Sequence, residues 1–231
     1  MELKKVLIVV TSHSELGNTG KKTGIWMDEF ASPYYTFLDA GKDITIASPK
    51  GGSAPIDPWS AEPEWATPMT IRYYKDPAAQ KRLATTVKIS DVSEKDYDTI
   101  FYPGGHGPMW DMPDNQDSIN LIESFNRAGK VMSLMCHSSV ALKNVKGLDG
   151  DWLIRGKRVT GFTNGEESDA KLDHVVPFLL EDMLRSRFAI YEKGESWLPY
   201  VVRDGRLITG QNPASATLAA LTVMEYVKGL K

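Results

Sequence analysis

Short apolar runs closed by glycine or polar residues alternate along this chain with longer segments whose apolar residues recur every three or four positions. Residues 6–11 form the first such run, apolar at nearly every place, which reads as a strand buried on both faces. The polar, glycine-containing stretch at 12–23 is a loop at its carboxyl end. Residues 25–40 place Ile25, Trp26, Phe30, Tyr34, Phe37 and Leu38 at helical spacing, with Gly41 as a stop and with Pro33 inside, where it can break or kink the helix. Residues 44–47 are the next strand, and strand, helix, strand at this spacing is a parallel crossover unit.

The same alternation continues. Residues 76–84 read as a short helix, and 88–92 lead into an edge element. Residues 99–102 and 131–135 read as core strands with a helix at 118–128 between them. Further expectations are a strand at 157–162, a helix at 175–186, a hairpin of 200–202 with 207–209 turning at Asp204-Gly205, and a closing helix at 214–227. Residues 50–70 are rich in proline and have no period. They read as an ordered surface excursion, because Trp59 and Trp65 favour burial. The pattern predicts an α/β three-layer sandwich on a mostly parallel sheet, and no repeat or linker divides residues 1–231, which read as one domain.

Composition narrows the function classes. Apolar residues make up 42% and charged residues 25%, the proportions of an ordinary globular chain. The net charge is −3 and the basic residues are dispersed, so no nucleic-acid partner is expected. The apolar run near the N-terminus is too short to span a membrane and has no small-residue cleavage site, so it reads as a first strand, and neither a membrane partner nor export is expected. The single cysteine excludes a disulfide within the chain and a cysteine-rich zinc site. It fits a reducing, cytoplasmic setting.

That cysteine is also the centre of the candidate chemistry. Cys136 closes an apolar strand, His137 follows at once, and residues 138–142 can open a helix. Strand-to-helix junctions at the carboxyl edge of a doubly wound sheet are where ligands bind, and a helix start offers free N–H groups that favour a thiolate. Adjacent side chains of an extended strand point apart, so Cys136 and His137 can converge only if the backbone turns sharply at the cysteine. The bland alternatives are a buried structural cysteine and a histidine bonded to the backbone. Gly104-Gly105, at the end of another core strand, can offer N–H groups to an oxyanion or simply make a tight turn. His106 reads as a loop histidine bonded to the backbone, and so do His13 and His174. Asp28 and Glu29, and Glu166 and Glu167, are carboxylates near the same edge. Spacing alone does not say which of the four faces the thiol, and helix-start charge is the commoner role for such residues.

Taken together, several segments resemble the ThiJ/PfpI members of the class I glutamine amidotransferase-like superfamily, nearest to the heat-shock chaperone and glyoxalase III branch. They are residues 4–12; Thr23-Gly24-Ile25-Trp26-Met27-Asp28-Glu29; Tyr102-Pro103-Gly104-Gly105-His106-Gly107; Met135-Cys136-His137; residues 159–163 with Glu166-Glu167; and Leu207-Ile208-Thr209-Gly210-Gln211-Asn212-Pro213-Ala214-Ser215. The resemblance implies a flavodoxin-like fold and a homodimer. It implies a Cys136 nucleophile on a strained elbow, with Glu29 hydrogen-bonded to the thiol and shuttling protons. His137 matches the triad histidine, Glu167 the acid that orients it, and Gly105, beside Gly104, an oxyanion donor. Many relatives have Gly-Pro where this chain has Ser138-Ser139, a change expected to narrow the pocket or shift the substrate. The implied reaction is cofactor-free and metal-free: methylglyoxal or a similar ketoaldehyde adds to the thiolate and leaves as a 2-hydroxy acid. Trp26 and Trp110 are candidate walls for such a pocket. A peptidase or amidase of the same superfamily, and a redox-sensing stress chaperone, are the alternatives.

Overall fold

The computed structural model describes residues 2–230. The chain runs β1 (Lys5–Val9), α1 (Met27–Asp39), β2 (Asp43–Ser48), α2 (Pro68–Tyr74), α3 (Pro77–Ala84), β3 (Val87–Lys88), β4 (Thr99–Tyr102), α4 (Pro108–Asp111) and α5 (Gln116–Arg127). It continues through β5 (Val131–Met135), β6 (Arg158–Val159), α6 (Asn164–Asp169), α7 (Leu180–Ser186), β7 (Ile190–Tyr191), β8 (Val201–Asp204), β9 (Leu207–Gly210) and α8 (Ala216–Gly229). A seven-stranded sheet has the order β3-β2-β1-β4-β5-β9-β8. Every pairing in it is parallel except that of β8 with β9. The α/β, mostly parallel architecture is the one expected.

Strand order reverses between β1 and β4. One crossover leads from β1 to β2 in one direction and another leads from β4 to β5 in the opposite direction. Right-handed crossovers therefore put α1 and α5 on opposite faces, and α8 packs beside α1. The crevice at such a switch point, at the carboxyl ends of the strands, is where ligands lodge in these sheets. Strands β1, β4 and β5 are buried along almost their whole length because both faces are covered, which is why they read as continuous apolar runs.

Several expectations need correction. Helix α1 runs unbroken through Pro33, which cannot donate to the Glu29 carbonyl one turn back. The strand expected at 157–162 shrinks to Arg158–Val159 and lies outside the main sheet, paired with β7. The helix expected from 175 begins at Leu180, because Pro177 disfavours helical backbone before it and lacks a donor. After β5, residues Cys136–Leu142 form a 3₁₀ helix rather than an α-helix. The excursion at 50–70 holds two 3₁₀ turns, Pro58–Ala61 and Pro63–Trp65, and the capped start of α2, which the sequence pattern did not suggest. Trp59 is 40% exposed rather than buried. Among the described residues no helix is long and apolar enough to cross a membrane.

Candidate active site

The carboxyl ends of β1, β4 and β5 bring the candidate residues together. β4 and β5 are neighbours, with Tyr102 opposite Leu134, so the glycine turn after β4 lies beside the cysteine after β5. Cys136 has φ +51, a left-handed backbone that a non-glycine residue rarely adopts. That strained turn swings consecutive side chains together: Cys136 Sγ lies 3.3 Å from His137 Nδ1.

His137 Nε2 donates to Glu167 Oε2 at 2.6 Å, and His106 Nε2 donates to Glu167 Oε1 at 2.7 Å. With Nε2 carrying the proton, Nδ1 of a neutral His137 presents its lone pair to the thiol. Burial holds His137 down at about 4, with the nearby His106 adding to the effect and Glu167 opposing it. Burial pushes Glu167 up, but the two imidazoles outweigh it and hold the carboxyl well below the usual range.

Glu29 is fully buried at the start of α1, and its Oε2 accepts the Gly104 N–H at 3.0 Å. Its Oε1 has no hydrogen-bond partner among the described residues, while the Cys136 thiol interacts with the same carboxyl. Burial raises Glu29 to about 8, against the lowering effect of the thiol and the Gly104 N–H. Burial also pushes the thiol of Cys136 well up, and the Glu29 carboxyl pushes it further. The expectation that a helix start alone would favour a thiolate is corrected here: desolvation outweighs the short 3₁₀ helix.

The glycines divide the labour. A Cβ on Gly104 would meet Glu29 Oε2 at 2.6 Å and Cys136 Cβ at 2.8 Å, so only glycine fits between the acid and the thiol. Its N–H is taken by Glu29, which corrects the idea that it serves an oxyanion. Gly105, at φ +104, lines the cavity, and its N–H has no partner among the described residues.

One cavity collects these groups. Glu29, Gly105, His106, Cys136 and His137 line it with Trp26, Trp59, Trp65, Phe162, Ala170, Trp197 and Pro213. Trp26 is among the lining residues. Trp110 is not: it stacks on His13 at 5.2 Å, outside the cavity. Ser138 and Ser139 do not line it either, and their hydroxyls donate to the Pro103 and Thr160 carbonyls. Asp28 accepts from Ser32 and Thr67, and Glu166 accepts from backbone and amide N–H groups, so neither reaches the thiol. His13 contacts the Glu15 carbonyl and His174 is exposed. His106 is not bonded to the backbone of its loop: its partner is a carboxylate 61 positions away, which no local signal announces. His106, His137 and Glu167 have donor atoms within 4.8 Å of one another, the spacing of a metal site. A cation there would have to break both histidine–carboxylate hydrogen bonds.

A model of the DJ-1/PfpI family matches residues 26–226. The chain belongs to the DJ-1/PfpI family. It is 30% identical over 229 residues to Glyoxalase 3 of Candida albicans, covering 95% of this chain and 97% of that protein. It is 29% identical to the glutathione-independent glyoxalase HSP31 of Saccharomyces cerevisiae, covering 99% of this chain and all of that one. Among solved structures, the Francisella tularensis Rapid Encystment Protein 24 KDa superposes with a TM-score of 0.92 at 39% identity, covering 96% of this chain and 98% of that one. The crystal structure of glyoxalase III from Candida albicans superposes with a TM-score of 0.88 at 29% identity, covering 96% of each chain.

Proposed function

We propose that this protein is a cysteine-dependent, glutathione-independent glyoxalase that converts small 2-oxoaldehydes, methylglyoxal first among them, into 2-hydroxy acids. The observation that carries the reading is one thiol placed between a histidine–carboxylate chain and the buried carboxyl group of Glu29, all on one cavity. Similarity along nearly the whole chain to proteins named glyoxalases supports it.

At neutral pH the resting groups are a thiol, a neutral Glu29, a neutral His137 and an ionised Glu167, from the shifts above. Cys136 Sγ attacks the aldehyde carbon while its proton passes to His137 Nδ1, and Glu167 stabilises the imidazolium that forms. Glu29 gives its proton to the aldehyde oxygen, with the Gly105 N–H as a second donor there. The Glu29 carboxylate left behind takes the hydrogen from the hemithioacetal carbon and returns it to the neighbouring carbon through an enediol, and it recovers its own proton from the hydroxyl that becomes the thioester carbonyl. The thiol proton ends on the former ketone oxygen, so this isomerisation neither gains nor loses an atom. Water then cleaves the thioester, releasing the 2-hydroxy acid and restoring the thiol.

A peptidase needs an open cleft for a polypeptide, whereas four tryptophans crowd this cavity. The proposal extends to a homodimer in the cytoplasm, which sedimentation equilibrium and cell fractionation test. For the activity, purified Cys136→Ala should form no lactate from methylglyoxal without glutathione while melting close to the parent protein. Lactate formation equal to that of the parent would end the reading.

A further inference from the structure

The cavity at Cys136 has a neighbour. A groove lined by Asp28, Glu64, Thr67 and Ala214 lies beyond it, and Trp26, Trp65, Trp197 and Pro213 belong to both. The inner space is the narrower and more enclosed of the two. In this arrangement of side chains the inner space admits little more than a water-sized body. Trp65 and Trp197, with ring centroids 6.5 Å apart, belong to the shared wall, and Trp197 packs edge-on against Phe162 at 5.5 Å. Phe162 in turn lies 4.3 Å from the His137 ring.

Trp197 is held there against its own preference. Its φ is +65, a conformation that suits glycine. Its backbone N–H donates to Glu166 Oε1 at 2.8 Å and its indole N–H to Asp169 Oδ2 at 3.0 Å. Glu166 is fully buried, and it also accepts from the Thr163 N–H, Gln211 and Asn212. All of its bonds run to the chain around the partition and none to the thiol.

We propose that Trp65 and Trp197 partition the reactive cavity from the outer groove and so limit the substituent a substrate carries, and that Glu166 is the positioning residue that holds Trp197 in place. Among the described residues no lysine or arginine lines either space, and Asp28 and Glu64 border the outer one. The substrate class is therefore uncharged 2-oxoaldehydes with a methyl-sized substituent. Aromatic ones are excluded by size, and carboxylated or phosphorylated ones by charge. The inference takes its substrates from the glyoxalase reading, but its test has an arm that does not depend on turnover.

That arm is alkylation of Cys136 at pH 9 by iodoacetamide and by its N-benzyl analogue, each rate taken relative to a free thiol. The parent protein should favour the small reagent at least tenfold more than the free thiol does. Trp197→Gly, whose backbone suits φ +65, and Trp65→Ala should each cut that preference at least tenfold, and Glu166→Gln should move it the same way. In turnover, the ratio of kcat/KM for phenylglyoxal to that for methylglyoxal should rise at least tenfold in the two tryptophan variants. A parent preference equal to the free thiol's, or one unmoved in both tryptophan variants, overturns the partition. A preference moved by Trp197→Gly but not by Glu166→Gln overturns the role of Glu166. No turnover of any 2-oxoaldehyde, with the alkylation pattern intact, removes the glyoxalase reading and leaves the partition standing.

Discussion

His106 and His137 grip opposite oxygens of one carboxylate, Glu167, and their rings lie only 4.0 Å apart. Two buried imidazoles can sit that close because one anion answers both N–H groups. His106 thereby fixes Glu167, and through it the ring that faces the thiol. It also helps keep His137 neutral.

Replacing His106 by Phe should leave Glu167 Oε1 buried without a donor. A lost hydrogen bond to a charged group costs about 1.5–3 kcal/mol, so kcat/KM for methylglyoxal should fall roughly 10- to 100-fold. With the second imidazole gone, the pKa of His137 should rise, which moves the acid limb of the pH–rate profile to higher pH. An unmoved limb and an unchanged rate would show that His106 is only packing.

Glu29 makes stability depend on pH. Its folded pKa of about 8 lies above the ordinary 4.5. The unfolded chain therefore releases this proton first. The stabilisation is complete below about pH 4.5 and is lost as pH rises to about 8, by roughly 1.4 kcal/mol per unit across that window. Glu29→Gln removes the titration, so its melting temperature should gain on the parent steadily from pH 5 to pH 8. A constant difference across that range would contradict a raised Glu29.

The thiol should behave as a protonated one in the resting protein. Alkylation of Cys136 should titrate above the ordinary thiol range, because burial and the Glu29 carboxyl both push it up. In Glu29→Gln the midpoint should fall. A parent midpoint well below that of a free cysteine would mean that the thiolate is preformed.

Gly104→Ala should be a costly substitution at the site. The added methyl would meet Glu29 Oε2 at 2.6 Å and both Cys136 Cβ and the Met135 carbonyl at 2.8 Å. Overpacking of this kind costs typically 1–3 kcal/mol, and activity should fall with it, since the acid and the thiol must separate. Denaturant unfolding and methylglyoxal turnover check both halves. A variant as stable and as active as the parent would contradict so close a fit.

What the sequence determined is local. Apolar runs of four to six residues set β1, β4 and β5, because a strand covered on both faces needs no polar alternation. The Asp204-Gly205 hairpin and the closing helix follow from turn chemistry and period. The elbow at Cys136-His137 was legible because adjacent side chains can meet only over a sharp turn, and φ +51 supplies it. The tertiary structure decided everything that depends on distant partners. Glu166 and Glu167 are neighbours of the same type, yet one accepts from loop N–H groups and the other from two histidines, since successive helical positions face different surroundings. Trp26 and Trp110 looked alike in sequence, and only packing put the first on the cavity and the second on His13. The protonation states were equally out of reach. Burial sets them, and burial belongs to the folded chain as a whole rather than to any segment of it.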